Sequence, residues 1–174
     1  MENFTKYPFI TRESGDLRKL GYVLLVCLFA CITTSFAQQG ASSLGAQLNF
    51  GDETNIGLGI KYRYGLTNHL RIEPAFNYYF ENDNVSMWDL GANLHYVFPV
   101  ANRISIYPLA GLGFAQTKLH FADDSATDGN IAVNLGVGGD FKIASNVVFD
   151  LEFKYQIIDN YNQLVLSAGV AFAF

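Results

Sequence analysis

The sequence has 174 residues and a formal net charge of −5 at pH 7; half of its residues are hydrophobic and 16% are charged. This length suits one domain, and the composition excludes a disordered chain. After Phe36, the apolar runs are short, so the roughly 20 consecutive apolar residues of a membrane-spanning helix are absent. If the residues after Phe36 span a membrane, they must do so with strands.

Residues 1–37 are predicted to be a secretory signal peptide. Four basic residues precede an apolar run from Leu20 to Phe36, and small residues stand three and one positions before Gln38. We expect cleavage after Ala37, which leaves a mature domain over residues 38–174. Both cysteines of the chain lie in the segment that is removed, and a mature chain without thiols suits an oxidising compartment.

Two alternatives for this segment stay open. The 17 residues from Leu20 to Phe36 reach the lower end of the length that spans a membrane and could be retained as a helical anchor. The residues Leu28 to Cys31 loosely resemble the lipidation motif of a lipoprotein, although Phe29 fits that motif badly. An acylated Cys31 would distinguish the second alternative from cleavage after Ala37.

From Gln38 onward, segments with a period of two residues alternate with short polar turns, and no useful length of sequence has the helical period. Eight strands are predicted, over residues 43–50, 55–64, 69–80, 86–98, 103–118, 130–143, 147–157 and 163–174. The longest connection is predicted over residues 119–129. An even number of strands of about 9 or more residues, with both chain ends on one side, is typical of a small bacterial membrane barrel.

Each predicted strand has one apolar and one polar face, and the glycines indicate which face lies inside. Eight of them share the polar face: Gly57, Gly59, Gly91, Gly111, Gly113, Gly136, Gly138 and Gly169. The interior of an eight-stranded barrel is just wide enough for side chains, so long polar residues there need small neighbours. Outward aromatic residues collect near both ends of the strands, as in the girdles of a membrane barrel. The opposite arrangement would give a secreted, lipocalin-like barrel around a ligand.

With the polar face inside, the interior holds five positive and five negative side chains, which we expect to form an ionic network. These are Lys61, Arg63, Arg71, Lys142 and Lys154, and Glu73, Asp89, Asp140, Asp150 and Glu152. A basic residue that faces lipid at mid-membrane costs roughly 2–4 kcal/mol. Inside the barrel such charges need partners, which the equal numbers supply. The lumen is therefore predicted to be filled.

Opposed residues of an antiparallel pair point to the same face. The number of turn residues between the last opposed pair must therefore be odd. Five-residue turns predict that Lys61 lies opposite Glu73, Phe98 opposite Ile104, and Lys142 opposite Asp150. A three-residue turn is an open alternative at the last site. Pro74 and Pro108 lie inside strands of a closed barrel that has no free edge, so we expect a local bulge at each.

The predicted outer loops are acidic. They contain no Lys or Arg and eight carboxylates: Asp52, Glu53, Glu81, Asp83, Asp123, Asp124, Asp128 and Asp159. Such loops could bind a divalent cation or bridge to lipopolysaccharide phosphates, but acidic loop tips are ordinary in solvent. The segment 124–130 superficially resembles a calcium loop and fails as one, because Ala126 and Leu135 occupy ligand positions.

The same loops offer one weak arrangement for catalysis. His120, Asp123 and Ser125 share the longest loop and could form a triad. Three polar residues in a short loop are weak grounds for an active site. His95 is predicted to face inward near Tyr107 as a hydrogen-bonded filler. We assign no catalytic, cofactor-binding or metal-binding residue.

The last predicted strand ends on Phe172 and Phe174, and it resembles the closing strand and sorting signal of outer-membrane barrels. Together with the signal peptide, the eight amphipathic strands and the short turns, residues 38–174 resemble the OmpA-like and OmpX-like family of small outer-membrane barrels. This resemblance implies an all-β fold: an eight-stranded, antiparallel, up-and-down transmembrane β-barrel in the outer membrane of a Gram-negative bacterium, with periplasmic termini.

The resemblance also implies partners and a role. The expected partners are outer-membrane lipid, lipopolysaccharide and the barrel assembly machinery, for which Phe172 and Phe174 are the assembly signal; no nucleic acid and no cofactor are expected, and the protein is expected to be a monomer. The loops are short and we expect no appended periplasmic domain. A non-enzymatic structural or interaction role is therefore favoured, with a narrow pore for small hydrophobic molecules or a lipid-A-modifying enzyme as the alternatives.

Overall fold

The computed structural model describes residues 39–52, 55–82, 85–120, 125–159 and 161–174. The described residues form nine β-strands: β1 (Ser42–Gly51), β2 (Asn55–Gly65), β3 (Leu70–Asn82), β4 (Val85–Tyr96), β5 (Phe98–Ala101), β6 (Ile104–His120), β7 (Ser125–Lys142), β8 (Val147–Ile158) and β9 (Tyr161–Ala173). No helix in these ranges is long and apolar enough to span a membrane. The predicted signal peptide and its two alternatives lie outside the described residues.

The strands close into an antiparallel barrel. Consecutive strands pair with each other, except β4 with β5, and β1 pairs with β9 to complete the ring. β4 and β5 occupy one position in the sheet, because both pair with β6 and only Val97 separates them. The eight-stranded, up-and-down barrel predicted from the sequence is confirmed. Because β1 begins and β9 ends at the same end of the barrel, we call this the terminal end and the opposite one the far end.

The connection between β6 and β7 is shorter than predicted. Leu119 pairs with Ala126, and His120 with Ser125, so the predicted loop over residues 119–129 shrinks to residues 121–124. On the other side of β7, pairing with β8 begins only at Ala132 in the described part of the chain. The backbone ladder of an antiparallel hairpin needs no apolar face, so the strands continue after the alternation of apolar and polar residues has ended.

The three predicted cross-strand pairs are wrong, each by two residues. The structure pairs Lys61 with Ala75, Phe98 with Ile106 and Lys142 with Val148. Because side chains alternate with a period of two, such a shift leaves every side chain on its predicted face. The hairpin between β7 and β8 has the three-residue turn left open above, and the Ile143 N–H donates to the Val147 carbonyl at 2.9 Å.

Neither proline forms the expected bulge. Pro74 pairs with Ala92, and Pro108 with Val137, in unshifted register. Proline lacks a backbone N–H, so a ladder tolerates it where the neighbouring strand makes no hydrogen bond to it. The β2–β3 ladder is interrupted beside Pro74, and the break between β4 and β5 at Val97 lies beside Pro108.

The apolar faces of the strands point outward and the polar faces inward. Val137 at the middle of β7 is 58% exposed, and Leu112 on β6 is 64% exposed. Glu152, on the inner face of β8, is 1% exposed. A water-soluble barrel would have the reverse arrangement, so this polarity suits a barrel whose outer surface contacts lipid.

Candidate functional site

Glycines on the inner face make room for the large side chains of the lumen. A Cβ atom on Gly138 would overlap the ring of Tyr107, and one on Gly169 would come within 2.7 Å of the Lys61 Nζ. Both distances are shorter than real Cβ contacts allow. At these two positions, a side chain from another strand therefore passes close to the backbone.

Arg63 is the centre of an ionic cluster inside the barrel. This side chain from β2 is almost completely buried, and its Nε donates to Glu73 on β3. Its Nη1 donates to Asp140 on β7 at 3.1 Å. Its Nη2 donates to Glu152 at 3.1 Å and lies 3.2 Å from the Asp150 carboxylate, both on β8. One guanidinium thus joins carboxylates from three other strands.

Lys61 and Arg71 extend the cluster on either side of Arg63. The Lys61 Nζ donates to Asp150 and lies 4.0 Å from a Glu73 oxygen. The Arg71 Nη1 donates to Asp140 at 2.7 Å. Three cations and four carboxylates leave this cluster with a formal charge of −1. We call these seven residues the Arg63 cluster: Lys61, Arg63, Arg71, Glu73, Asp140, Asp150 and Glu152.

Two rings pack against the Arg63 cluster. The imidazole of His95 stacks on the ring of Tyr107 with 4.6 Å between centroids and 8° between planes, and the Tyr107 hydroxyl donates to Glu152 at 2.8 Å. Arg71 can only donate, and its Nη2 lies 3.0 Å from the His95 Nδ1, so Nδ1 accepts and the ring proton of neutral His95 lies on Nε2. This arrangement suits the filler role expected of His95.

One trio in the described ranges, Glu73, His95 and Glu152, has the spacing of a metal site, with ligand atoms within 4.8 Å of one another. Its chemistry does not fit a metal. A lone pair on the His95 Nε2 would require the proton on Nδ1, where Arg71 already donates. Glu152 accepts hydrogen bonds from Arg63 and Tyr107. The trio therefore belongs to the ionic packing of the lumen.

Toward the far end, neutral amide side chains replace the ionic cluster. The Asn77 Oδ1 accepts from the Gln47 Nε2 at 2.7 Å and from the Asn49 Nδ2 at 2.8 Å, and the Asn77 Nδ2 donates to Asp89 at 2.8 Å. The Ser167 hydroxyl donates to the Asn49 Oδ1 at 2.6 Å. We call these five residues the amide network. It connects β1, β3, β4 and β9.

The structure brings seven of the ten predicted interior charges together in the Arg63 cluster. The other three lie elsewhere. Asp89 belongs to the amide network, and Lys142 lies at the terminal end of β7. Lys154 is 2% exposed, and none of the ion pairs between described residues includes it. The prediction did not include the amide side chains, although Gln47, Asn49 and Asn77 share the polar face and this parity could have identified them.

The candidates in the far-end loops are only partly described. Asp123 and the side chains of His120 and Ser125 lie outside the described residues, so the triad remains a hypothesis. Of the acidic loop residues, Asp52 accepts from the Leu164 N–H at 2.8 Å. This carboxylate therefore links the end of β1 to β9. Glu53, Asp83, Asp123 and Asp124 lie in the gaps between the described ranges.

A closed sheet with an apolar outer surface and a polar interior is characteristic of a transmembrane β-barrel. Residues 23–174 match the family described as "Outer membrane protein beta-barrel domain", and the chain belongs to this family. The protein is thus an outer-membrane β-barrel protein, and the resemblance to small outer-membrane barrels noted in the sequence is confirmed.

Solved structures with a similar fold include the following three. The N-terminal barrel of Pseudomonas aeruginosa OprF is 17% identical with a TM-score of 0.63, covering 78% of this chain and 98% of that one. Neisserial surface protein A is 18% identical with a TM-score of 0.63, covering 77% and 96%. Ail, the attachment invasion locus protein of Yersinia pestis, is 22% identical with a TM-score of 0.58, covering 79% and 100%. At these identities the likeness shows the fold alone. No curated protein matches significantly.

Proposed function

We propose that the protein is a non-enzymatic, integral outer-membrane barrel with a structural or interaction role and a lumen that does not conduct. The observation that carries this proposal is contact across the lumen. Arg63 on β2 reaches Asp140 on β7 and Glu152 on β8, although β1 and β9 separate β2 from β8 in the ring. These direct contacts of 3.1 Å support a closed lumen, because a hydrated ion does not fit between two side chains in contact.

The layer around Arg63 draws on most of the barrel. Its charged groups come from β2, β3, β7 and β8, and its rings from β4 and β6, so six of the eight positions in the ring contribute to it. Removing one partner of a buried ion pair costs about 3–5 kcal/mol. Steady opening of a pore would require the separation of several such pairs at once.

Channel recordings on refolded protein test this proposal. The wild-type barrel is expected to show no steady conductance in a planar bilayer, whereas Arg63→Ala, which removes the central side chain, is expected to show intermittent openings. Lys118→Gln is the matched control, because Lys118 is exposed on β6 near the far end and lies outside the cluster. Large, steady conductance by the wild-type protein would refute the closed lumen and favour the pore.

The proposal places the terminal end in the periplasm and the far end outside the cell. It is supported by the β6–β7 hairpin, which continues past Phe114 with Gln116 and Lys118, since outer-membrane barrels have short periplasmic turns and longer external loops. Labelling of a Lys118→Cys variant on intact cells with a membrane-impermeant reagent tests this orientation. Labelling only after the outer membrane is permeabilised would reverse it.

The proposed partners are outer-membrane lipid, lipopolysaccharide and the barrel assembly machinery, and the barrel is proposed to act as a monomer. The exposure of the last strand supports the assembly signal, since Phe172 is 56% and Phe174 80% exposed. A Phe174→Ser variant is expected to accumulate more slowly in the outer-membrane fraction. An unchanged rate would remove Phe174 from the signal.

A further inference from the structure

The terminal end of the lumen contains a pocket of about 200 Å³. Arg63, Arg71 and Asp140 line its inner side, since they are its most buried charged residues. Arg103 and Lys142 line it closer to solvent. This volume holds several water molecules, so a small polyatomic ion fits.

The pocket concentrates positive charge in an acidic protein. Residues 39–174 contain seven Lys and Arg against thirteen Asp and Glu, a formal charge of −6. Four of the seven cations line this one pocket, with Asp140 as the only carboxylate among its lining residues; the Arg63 cluster, at −1, together with Arg103 and Lys142 has a formal charge of +1. The two cations nearer solvent, Arg103 and Lys142, lie outside the Arg63 cluster.

Two of the four cations of the pocket, Arg71 and Arg103, have unused donors. In the described part of the chain, the Arg103 side chain makes no ion pair or hydrogen bond. Arg71 uses three of its five N–H groups, two toward His95 and one toward Asp140, and its guanidinium lies 4.7 Å from the centre of the Tyr107 ring. A held guanidinium with unused N–H groups is well suited to bind an oxyanion.

We propose that this pocket binds a compact oxyanion of the phosphate or sulfate class, either free or as the phosphate of a lipid headgroup. Arg71 and Arg103 donate to its oxygens, and Lys142 contributes charge. Neutral donors are at hand in the hydroxyl groups of Ser43 and Ser105, which also line the pocket. The binding itself is independent of the proposed function, which determines only the side of the membrane on which the pocket opens.

The test uses refolded barrel in an uncharged, phosphate-free detergent, titrated with inorganic phosphate and followed by calorimetry and by the NMR signals of backbone amides. Saturable binding is expected, with the largest shifts at Ser43, Ser105 and Ser145. Arg103→Gln is expected to weaken binding about tenfold, which corresponds to about 1.4 kcal/mol, because one charge-assisted hydrogen bond is lost.

Lys118→Gln is the matched control, since it removes one exposed cation at the opposite end of the barrel and is expected to leave binding unchanged. Lys142→Gln is a second variant should Arg103→Gln fail to refold. Absence of saturable binding by folded wild-type protein, or equal weakening by Arg103→Gln and Lys118→Gln, would overturn the proposal.

A second titration with short-chain phosphatidic acid separates the two sources of the oxyanion. Tighter binding than inorganic phosphate, still weakened by Arg103→Gln, assigns the pocket to a lipid headgroup; equal affinities assign it to a free ion. Channel recordings on the same preparation keep the two proposals distinguishable. A barrel that does not conduct and does not bind phosphate refutes only the pocket, and one that conducts and binds phosphate refutes only the closed lumen.

Discussion

The two halves of the lumen are filled by different chemistry. In the terminal half, the Arg63 cluster joins three cations to four carboxylates across the barrel. In the far half, the amide network is built mainly from neutral donors and acceptors, with Asp89 as its one charged member. A polar interior of fixed width can thus be filled either by opposite charges or by amides. The energetic consequences differ, because a buried charge that loses its partner costs more than an amide that loses a hydrogen bond.

The largest effect is expected when Arg63 is replaced. Arg63→Met leaves four carboxylates without their shared cation, and the free energy of unfolding should fall by about 3–5 kcal/mol. Urea titration in lipid vesicles measures this, with the fluorescence of the single tryptophan, Trp88, as the probe. Since the cluster is buried, added salt should restore little of the lost stability. A loss as small as that from a single hydrogen bond would contradict the central place given to Arg63.

A smaller effect is expected from the matched change in the far half. Asn77→Ala removes an acceptor of two hydrogen bonds and the donor to Asp89. The expected loss of stability is about 1–3 kcal/mol, which is the cost of buried polar groups left unpaired. The same urea titration checks it. If Asn77→Ala destabilised the barrel more than Arg63→Met, the contrast between the two halves would be wrong.

The smallest effect is expected from Glu152→Gln. The glutamine oxygen can still accept from Arg63 and Tyr107, and the formal charge of the cluster rises from −1 to zero. We expect a change below about 1 kcal/mol, since surplus negative charge is removed while the hydrogen bonds remain. The matched control on the outer face is Leu151→Arg, which places a cation toward lipid and should cost about 2–4 kcal/mol. Equal losses for these neighbouring positions would contradict the assignment of their faces.

The faces of the strands could be predicted because contact with lipid on one face and with the lumen on the other selects different residue types. Every second residue of a strand contacts lipid, so residue type indicates which side chains point outward. In β8, the apolar set Val147, Phe149 and Leu151 alternates with Val148, Asp150 and Glu152. Register is different, since a shift by two residues leaves each side chain on its face and changes no pattern in the sequence. The inward position of the Arg63 cluster followed from the faces, whereas neither its membership among the ten inward charges nor its individual pairs did.

The pairs depend on which walls of the barrel face each other across the lumen. Lys61 was predicted opposite Glu73 on the adjacent strand, but it donates to Asp150 on β8. The equal count of charges was also a poor guide to pairing, because Lys154 lies in the lumen without an ion pair among the described residues. Contacts across a barrel are set by closure and strand tilt, which local alternation does not encode.

Arg63 and its carboxylates on β7 and β8 are far apart in the chain, by 77 residues for Asp140 and 89 for Glu152. During assembly, we therefore expect the guanidinium to stay hydrated until the last strands are in place. Contacts of such long sequence separation form late, after the loop-closure entropy has been overcome. Because β1 and β9 separate β2 from β8 in the ring, we expect Arg63 to reach Glu152 only when β9 pairs with β1, so that closure of the sheet and loss of water from the guanidinium occur together.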